Sequence, residues 1–385
     1  MKVILIISIF IIIHGYGGYI LPILFTQIFK KKSTKISLNK KLHKICIVIA
    51  AYNEASIIEK KIANTLALDF PKGFLDIIIV TDGSTDKTFE IASQFKEVRC
   101  FHQTERLGKM AAIDRVMPLV NAEITVFTDA NTLLNKECLH YINKHFNSSD
   151  VGGVAGEKRV KLVEDSNLNQ PNQEGVYWRY ESYLKQIDSN FHSVVGAAGE
   201  LYAIRSSLYE FPGRDVILDD FIISMNICKK GYVFKYEPKA YAIELPSSNI
   251  KEEAKRKIRI GAGGIQSIIM LKDVLNIFKF GKLSYLFLSH RVLRWTIIPF
   301  LLILVFILNL ILITETKLIL LQILFFTQII FYCLGYIGHF NPKIKSKFTA
   351  LPYYFIFMNI TQLKGIVRFF SGQQTSIWEK AERMK

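Results

Sequence analysis

Three long apolar runs, at residues 3–25, 295–313 and 318–338, bracket a central stretch that contains none. A run of about 20 apolar residues, at about 1.5 Å of helix per residue, is enough to cross a hydrocarbon core of about 30 Å. The ends of the chain therefore point to a bilayer, and the centre must bury its core against itself. The second and third runs are joined only by Thr314, Glu315, Thr316 and Lys317, which makes them a helical hairpin. The first run competes with a cleavable signal peptide. It exceeds the usual signal core and has no small-x-small cleavage site before its charged flank, so a retained anchor is expected.

Charge fixes an expected orientation. Lys30, Lys31, Lys32, Lys35, Lys40, Lys41 and Lys44 follow the first run without an acidic residue, against Lys2 alone before it. The positive-inside rule places the amino terminus outside and residue 30 onward in the cytoplasm. The loop 341–347, with Lys343, Lys345 and Lys347, agrees. Residues 268–294 mix apolar runs with Lys272, Lys279, Lys282, Arg291 and Arg294, the pattern of amphipathic helices in the headgroup plane. A last segment, 350–367, carries Asn359, Gln362 and Lys364 and reads either as a polar-marked span or as an interfacial helix.

Composition supports this segregation. Hydrophobic residues make up 50% of the chain and mean hydropathy is +0.24, which excludes disorder. The net charge of +16 is concentrated at the ends of apolar runs rather than over a folded surface, which argues for lipid and against nucleic acid. Five scattered cysteines without a C-x-x-C pair give neither a disulfide framework nor a thiolate metal site, as expected of a reducing compartment.

Between the apolar runs, short buried-type strands alternate with helical spacing. Residues 45–50 and 76–80 read as strands, 54–68 and 86–95 as helices, 109–119 as a third helix and 124–127 as a third strand. Such alternation predicts parallel strands with right-handed crossovers, whose ligands bind beyond the carboxyl ends of the strands. There stand Tyr52, Asn53 and Glu54, then Asp82, Gly83, Ser84 and Asp86, then Asp129, Ala130 and Asn131. Each group alone reads equally as turn and cap chemistry; three carboxylate-bearing ends at one edge favour a ligand. Neither a G-x-G-x-x-G after the first strand nor a P-loop is present, so a bound diphosphate needs a cation or basic side chains.

These motifs resemble those of the membrane-integrated members of glycosyltransferase family 2 over residues 45 to about 270. The resemblance implies an α/β GT-A fold, a nucleotide-sugar-binding mixed sheet with flanking transmembrane helices. It implies that Tyr52, Glu54 and Asp82 hold the nucleotide base and that Lys109, opening the third helix after Gly108, offsets diphosphate charge. The family's Asp-x-Asp metal motif stands as Asp129, Ala130 and Asn131, implying a divalent cation, Mg or Mn, held with one carboxylate and one amide oxygen. Residues 196–205, with Gly199 and Glu200, are similar to the acceptor-side strand and loop. Asp219 and Asp220 stand at the family's acidic catalytic motif, with Asp220 as base; the alternative for both is complementing a helix dipole. Arg256 and Arg259 occupy the place of Gln-x-x-Arg-Trp and are implied to clamp the diphosphate, a basic helix face against lipid being the alternative. Gly372, Trp378 and Arg383 resemble a spaced terminal pattern to which no chemistry is assigned.

The expected organisation is an anchor at 1–29, a basic linker at 30–44, the GT-A domain at 45–266, interfacial helices at 267–294, a transmembrane hairpin at 295–338, and a basic loop, hydrophobic segment and tail at 339–385. The expected function is inverting transfer of a sugar, from a UDP-sugar by preference, to a hydroxyl of a lipid-linked or polysaccharide acceptor, by a multi-pass inner-membrane enzyme with a cytoplasmic catalytic domain and room for oligomerisation. A processive, secreting polysaccharide synthase is the alternative enzyme. Absence of the Gln and Trp of Gln-x-x-Arg-Trp counts against it. A catalytically inactive nucleotide-sugar sensor or scaffold has no need of Asp220. A small transporter is disfavoured by the large soluble insert.

Overall fold

The run Ile45–Ala51 (β1) is buried along almost its whole length, as a strand covered on both faces must be. It pairs in parallel with Leu75–Asp82 (β2) on one side and Ile124–Asp129 (β4) on the other, and Arg99–Gln103 (β3) extends the parallel half beyond β2. The other half is built from Thr132–Leu134 (β5), Val151–Val160 (β6), Tyr202–Arg205 (β7) and Val233–Glu244 (β8). Among the described residues the sheet runs β3-β2-β1-β4-β7-β6-β8-β5, with β7 antiparallel to both β4 and β6. The mixed sheet that the family resemblance implies is present, its parallel half being the one the strand–helix alternation predicts.

This computed structural model describes residues 1–28, 41–160, 170–246, 249–340 and 347–373. Most of the linker lysines, loop residues 341–346, Trp378 and Arg383 lie outside them. The chain divides into two units. One comprises Met1–Phe29, Leu162–Tyr180 and Ser247–Gln374; the other comprises Lys30–Lys161, Glu181–Pro246 and Thr375–Lys385, and holds the sheet.

Within the sheet unit, Ile45, Ile47 and Ile49 alternate onto one face with Ile77, Ile79, Ile124 and Val126, and helix Ile58–Leu66 covers them through Ile58 and Ile62. Each such side chain contributes about 1.5–3 kcal/mol by leaving water. Register then places the chemistry. Ala51 lies opposite Thr81, and Ala50 opposite Asp129, so β1, β2 and β4 all end at one edge. Tyr202 lies opposite Phe127 on the antiparallel β7, which brings the residues just before it to that same edge.

Several expected elements differ in detail. The first helix starts at Ile58 rather than 54, because Asn53 sits at φ +52 and residues 53–55 bond across to the loop after β2. The strand β3 interrupts the expected helix–helix succession. Its residues are partly exposed, so no buried apolar run marks it.

In the hydrophobic unit, Ile298–Glu315 and Ile319–Phe340 are long and apolar enough to cross a membrane. The run 3–25, expected as one continuous span, is broken: Lys2–Gly18 and Ile20–Thr26 meet at 54°, so they form a third span only if the bent pair is taken as one. The break has a local cause. Tyr16 and Gly17 leave helical geometry, Gly17 with φ +128, which glycine alone adopts readily. Segment 350–367 belongs to helix Lys347–Phe370, which contains Pro352 and, at 24 residues, is long enough but not apolar enough to cross a membrane. Residues 268–294 form short helical pieces, among them Ile277–Phe280 and Lys282–Leu286.

Candidate active site

At the carboxyl edge, the loops after β1 and β2 are tied to each other. Asn53 N–H donates to Ser84 Oγ at 3.1 Å and Thr85 N–H donates to Asn53 Oδ1 at 2.8 Å. Asn tolerates the left-handed conformation that Asn53 adopts because its short side chain bonds locally in this way. Asp82 is buried and accepts the backbone N–H groups of Leu107 at 3.0 Å and Gly108 at 2.7 Å. It thereby shapes the loop that delivers Lys109 at the start of helix Lys109–Val116. On that loop, Arg106 lays its guanidinium 3.8 Å from the centre of the Tyr52 ring. Arg106 was not singled out from sequence; only its stacking on Tyr52 reveals it. Glu54 is buried, its backbone N–H donating to Thr88 Oγ1 at 2.8 Å.

Lys109 organises the second part. Its Nζ donates to Asp129 Oδ1 at 2.9 Å and lies 3.7 Å from Asp219 Oδ2. A Cβ added at Gly199 would stand 3.3 Å from Lys109 Nζ, 3.4 Å from Asp220 Oδ2 and 3.7 Å from Asp129 Oδ2, so these groups meet around the one glycine that lets the backbone approach them. Glu200, next in sequence, pairs with the buried Lys158 at 2.5 Å, and Lys158 also pairs with Glu244.

The charges in this cluster perturb one another. Desolvation opposes the charge of Lys109, but Asp129 and Asp219 outweigh it and hold the ammonium well above its usual range. Desolvation raises Asp129, and Lys109 only partly offsets it. Asp220 is pushed up to about 7, chiefly by desolvation and then by neighbouring Asp219, with Lys109 pulling back. Its Oδ1 accepts the Phe221 N–H at 2.7 Å; the helix Asp219–Lys229 that begins here also favours anions at its start. Tyr202, stacked on Phe127 at 4.8 Å, is raised far above its ordinary value by burial and by Asp219 and Asp220.

Two oxygens at the end of β4 bear on a resident cation. Asn131 Oδ1 is buried and has no hydrogen-bond partner among the described residues, and it stands two residues from Asp129. Among the described residues no three His, Cys, Asp or Glu side chains form a complete metal site. The Asp129 carboxylate and the Asn131 amide oxygen suit a Mg- or Mn-type ion, which takes one or two protein side chains and completes its shell with substrate phosphates and water.

Beneath Asp129 lies a residue the sequence reading missed. Lys61, on helix Ile58–Leu66, is fully buried and donates to Thr128 Oγ1 at 2.9 Å and to Thr132 O at 2.8 Å. Burial pulls its pKa down to about 7, against the opposing pull of Asp129. A lysine at a helical core position was its only signal.

Tyr52, Asp82, Lys109, Asp129, Asn131, Gly199, Glu200, Asp219 and Asp220 thus all belong to the sheet unit. Arg256 and Arg259 belong to the hydrophobic unit, on helix Ile250–Met270, where Arg256 bonds Glu253 at 3.0 and 3.1 Å.

Residues 46–210 match the family model described as glycosyl transferase family 2. The chain carries a glycosyltransferase family 2 domain. The domain's relatives include the poly-beta-1,6-N-acetyl-D-glucosamine synthase of Staphylococcus aureus, 27% identical over 262 residues, which are 64% of this chain and 62% of that protein. The synthase of the same name from Staphylococcus epidermidis is 26% identical, over 62% of this chain and 58% of its own length. The alignments therefore cover less than two thirds of these relatives. Among solved structures, the mannosyltransferase PcManGT from Pyrobaculum calidifontis, in complex with GDP-Man and Mn2+, superposes with a TM-score of 0.72 over 96% of this chain and all of that one, at 19% identity. That likeness establishes the GT-A fold of the family 2 domain.

Proposed function

We propose that this protein transfers a sugar from a nucleoside-diphosphate sugar to a hydroxyl of a polysaccharide or lipid-linked glycan. One observation carries the proposal: the carboxylates of Asp129, Asp219 and Asp220 converge on Lys109 beside Gly199, and among them Asp220 has a proton affinity suited to a base near neutral pH.

In this reading Tyr52, Glu54 and Asp82 receive the base, with Arg106 closing over Tyr52. A divalent cation held by Asp129 and Asn131 would neutralise charge on the diphosphate. Lys109 supplies a fixed positive charge on the same side, where the leaving group's negative charge grows as the glycosidic bond breaks. Asp220 takes the proton of the acceptor hydroxyl; the hydroxyl oxygen bonds the anomeric carbon from the face opposite the leaving diphosphate, which departs with the bonding electron pair. A single displacement of this kind inverts the anomeric configuration. Arg256 and Arg259 are proposed as further diphosphate contacts.

The apolar helices support a membrane location. The lysine clusters support a multi-pass arrangement with the family 2 domain on the cytoplasmic side. The names of the staphylococcal relatives favour a second reading, in which the product is a polymer extended repeatedly before release.

The test is to incubate the purified full chain in detergent with a panel of UDP- and GDP-sugars and Mn2+, with and without extracted lipid or glycan acceptors. The expected result is acceptor-dependent release of nucleoside diphosphate from one donor and a product of inverted anomeric configuration. Long chains from a single binding event would select the polymerising reading. No release from any donor would overturn both.

A further inference from the structure

The Asp129–Thr132 turn and the Gly199–Glu200 segment reach the site from different parts of the sheet, yet the two are joined by the Thr128 hydroxyl, which one buried lysine holds in place. Lys61 Nζ donates to Thr128 Oγ1 at 2.9 Å, to Thr132 O at 2.8 Å and, more weakly, to Thr132 Oγ1 at 3.4 Å. The two hydroxyls pass the connection on: Thr128 Oγ1 donates to Glu200 O at 2.9 Å and Thr132 Oγ1 donates to Asp129 O at 3.0 Å. The two hydroxyls also lie 3.1 Å from each other; with their hydrogens directed at the carbonyls of Glu200 and Asp129, three acceptors face the three N–H groups of a protonated lysine. A fully buried charge is costly unless it is hydrogen-bonded, and the acceptors of this one all belong to Thr128 and Thr132, with Glu200 reached through the Thr128 hydroxyl.

We propose that Lys61 is a positioning residue that locks the Asp129–Asn131 turn to the Gly199–Glu200 segment, so that the donor-side carboxylate and the acceptor-side backbone keep one fixed spacing. This rests on the assignment of donor and acceptor sides given under the proposed function. A purely structural alternative sits one turn along the same helix and provides a control. Asn64 exchanges two bonds with Leu134 of β5, donating to its carbonyl at 2.9 Å and accepting its N–H at 2.8 Å, and so secures that strand without touching Glu200.

The experiment compares the full chain with its Lys61→Met, Thr128→Val and Asn64→Ala variants in detergent, by hydrogen exchange of segments 128–134 and 198–201 and by kcat and KM for the donor found active in the panel. Lys61→Met should speed exchange in both segments by about tenfold or more. It should lower kcat by about tenfold or more while donor KM stays within about threefold, since misplacement of reacting groups costs chiefly rate. Thr128→Val, which keeps the volume and removes the relay to Glu200, should loosen 198–201 and lower kcat in the same direction, so the proposal remains testable if Lys61→Met does not fold. Asn64→Ala should lower the melting temperature and leave segment 198–201 and kcat unchanged. Unchanged exchange at 198–201 in both the Lys61 and Thr128 variants would overturn the proposal, as would kcat loss in Asn64→Ala equal to theirs. Coupled loosening of the two segments in a protein that turns over no donor would uphold the lock and refute only the glycosyl-transfer reading.

Discussion

Asp82 and Asp129 end the two strands that flank β1, at the same edge of one sheet, yet their surroundings differ in kind. Asp82 spends both oxygens on backbone N–H groups of its own loop, a local arrangement that fixes the path of residues 106–109. Asp129 is held by a side-chain ammonium that also faces Asp219 and lies near Asp220. The difference teaches which acidic strand end the fold holds rigid and which is arranged to exchange its partner. A carboxylate held by amides is fixed in place and can meet a nucleotide base only through its remaining lone pairs, whereas one sharing a cation with other carboxylates can trade that partner for a metal or a phosphate.

The largest effect that can break this contrast comes from Lys109→Met. Removing the cation leaves buried carboxylates facing one another. Turnover should fall by about a hundredfold or more, with stability lost on the order of 3 kcal/mol, as when one partner of a buried pair is deleted. Asp82→Ala should instead lower stability and raise donor KM with a smaller loss of kcat. Equal losses of kcat in the two variants, by steady-state kinetics, would erase the distinction.

The next effect is on pH. Asp220 accepts a proton only when ionised, and its pKa is about 7, so turnover should rise through pH 7 and level above it. Stability runs the other way. A carboxyl raised from 3.8 to about 7 on folding binds its proton more tightly in the folded state; its contribution is full below pH 3.8, declines as pH rises to about 7, and is flat beyond. Asp220→Asn should remove that slope from a plot of melting temperature against pH. An unaltered slope would place the raised pKa elsewhere.

The smallest effect sharpens the geometry of the exchangeable cluster. Gly199→Ala puts a methyl group at 3.3 Å from Lys109 Nζ and 3.4 Å from Asp220 Oδ2, closer than most side-chain contacts. The lysine terminus can give way by a few tenths of an ångström, so the fold should persist while kcat drops by about tenfold from displaced charges. Unchanged kcat would mean that the space beside Gly199 is not where the reacting groups meet.

The same contrast marks what the sequence made legible. The parallel half announces itself, because β1, β2 and β4 are short apolar runs ending in polar motifs, and the register carries those motifs to one edge. The antiparallel half does not. The strand β6 has three glycines in its ten residues, a composition that propensity reads as loop, and β5 is only three residues long. Lys158, which pairs with Glu200, and Glu244, which pairs with Lys158, come from that half and carried no motif. Lys61 was hidden for another reason: a lysine among apolar helical positions reads as solvent-facing until the hydroxyls of Thr128 and Thr132 are seen to wait for it. The bend at Gly17 likewise follows from backbone geometry that an apolar run conceals.

The central claim, that Asp220 is the base of a sugar transfer, is tested most directly by measuring nucleoside-diphosphate release and nucleoside-diphosphate binding side by side in the wild-type chain and in Asp220→Asn, with the active donor and Mn2+. The account predicts that release falls at least about a hundredfold while binding stays within a few fold. Release at the wild-type rate, or parallel loss of release and binding, would contradict it.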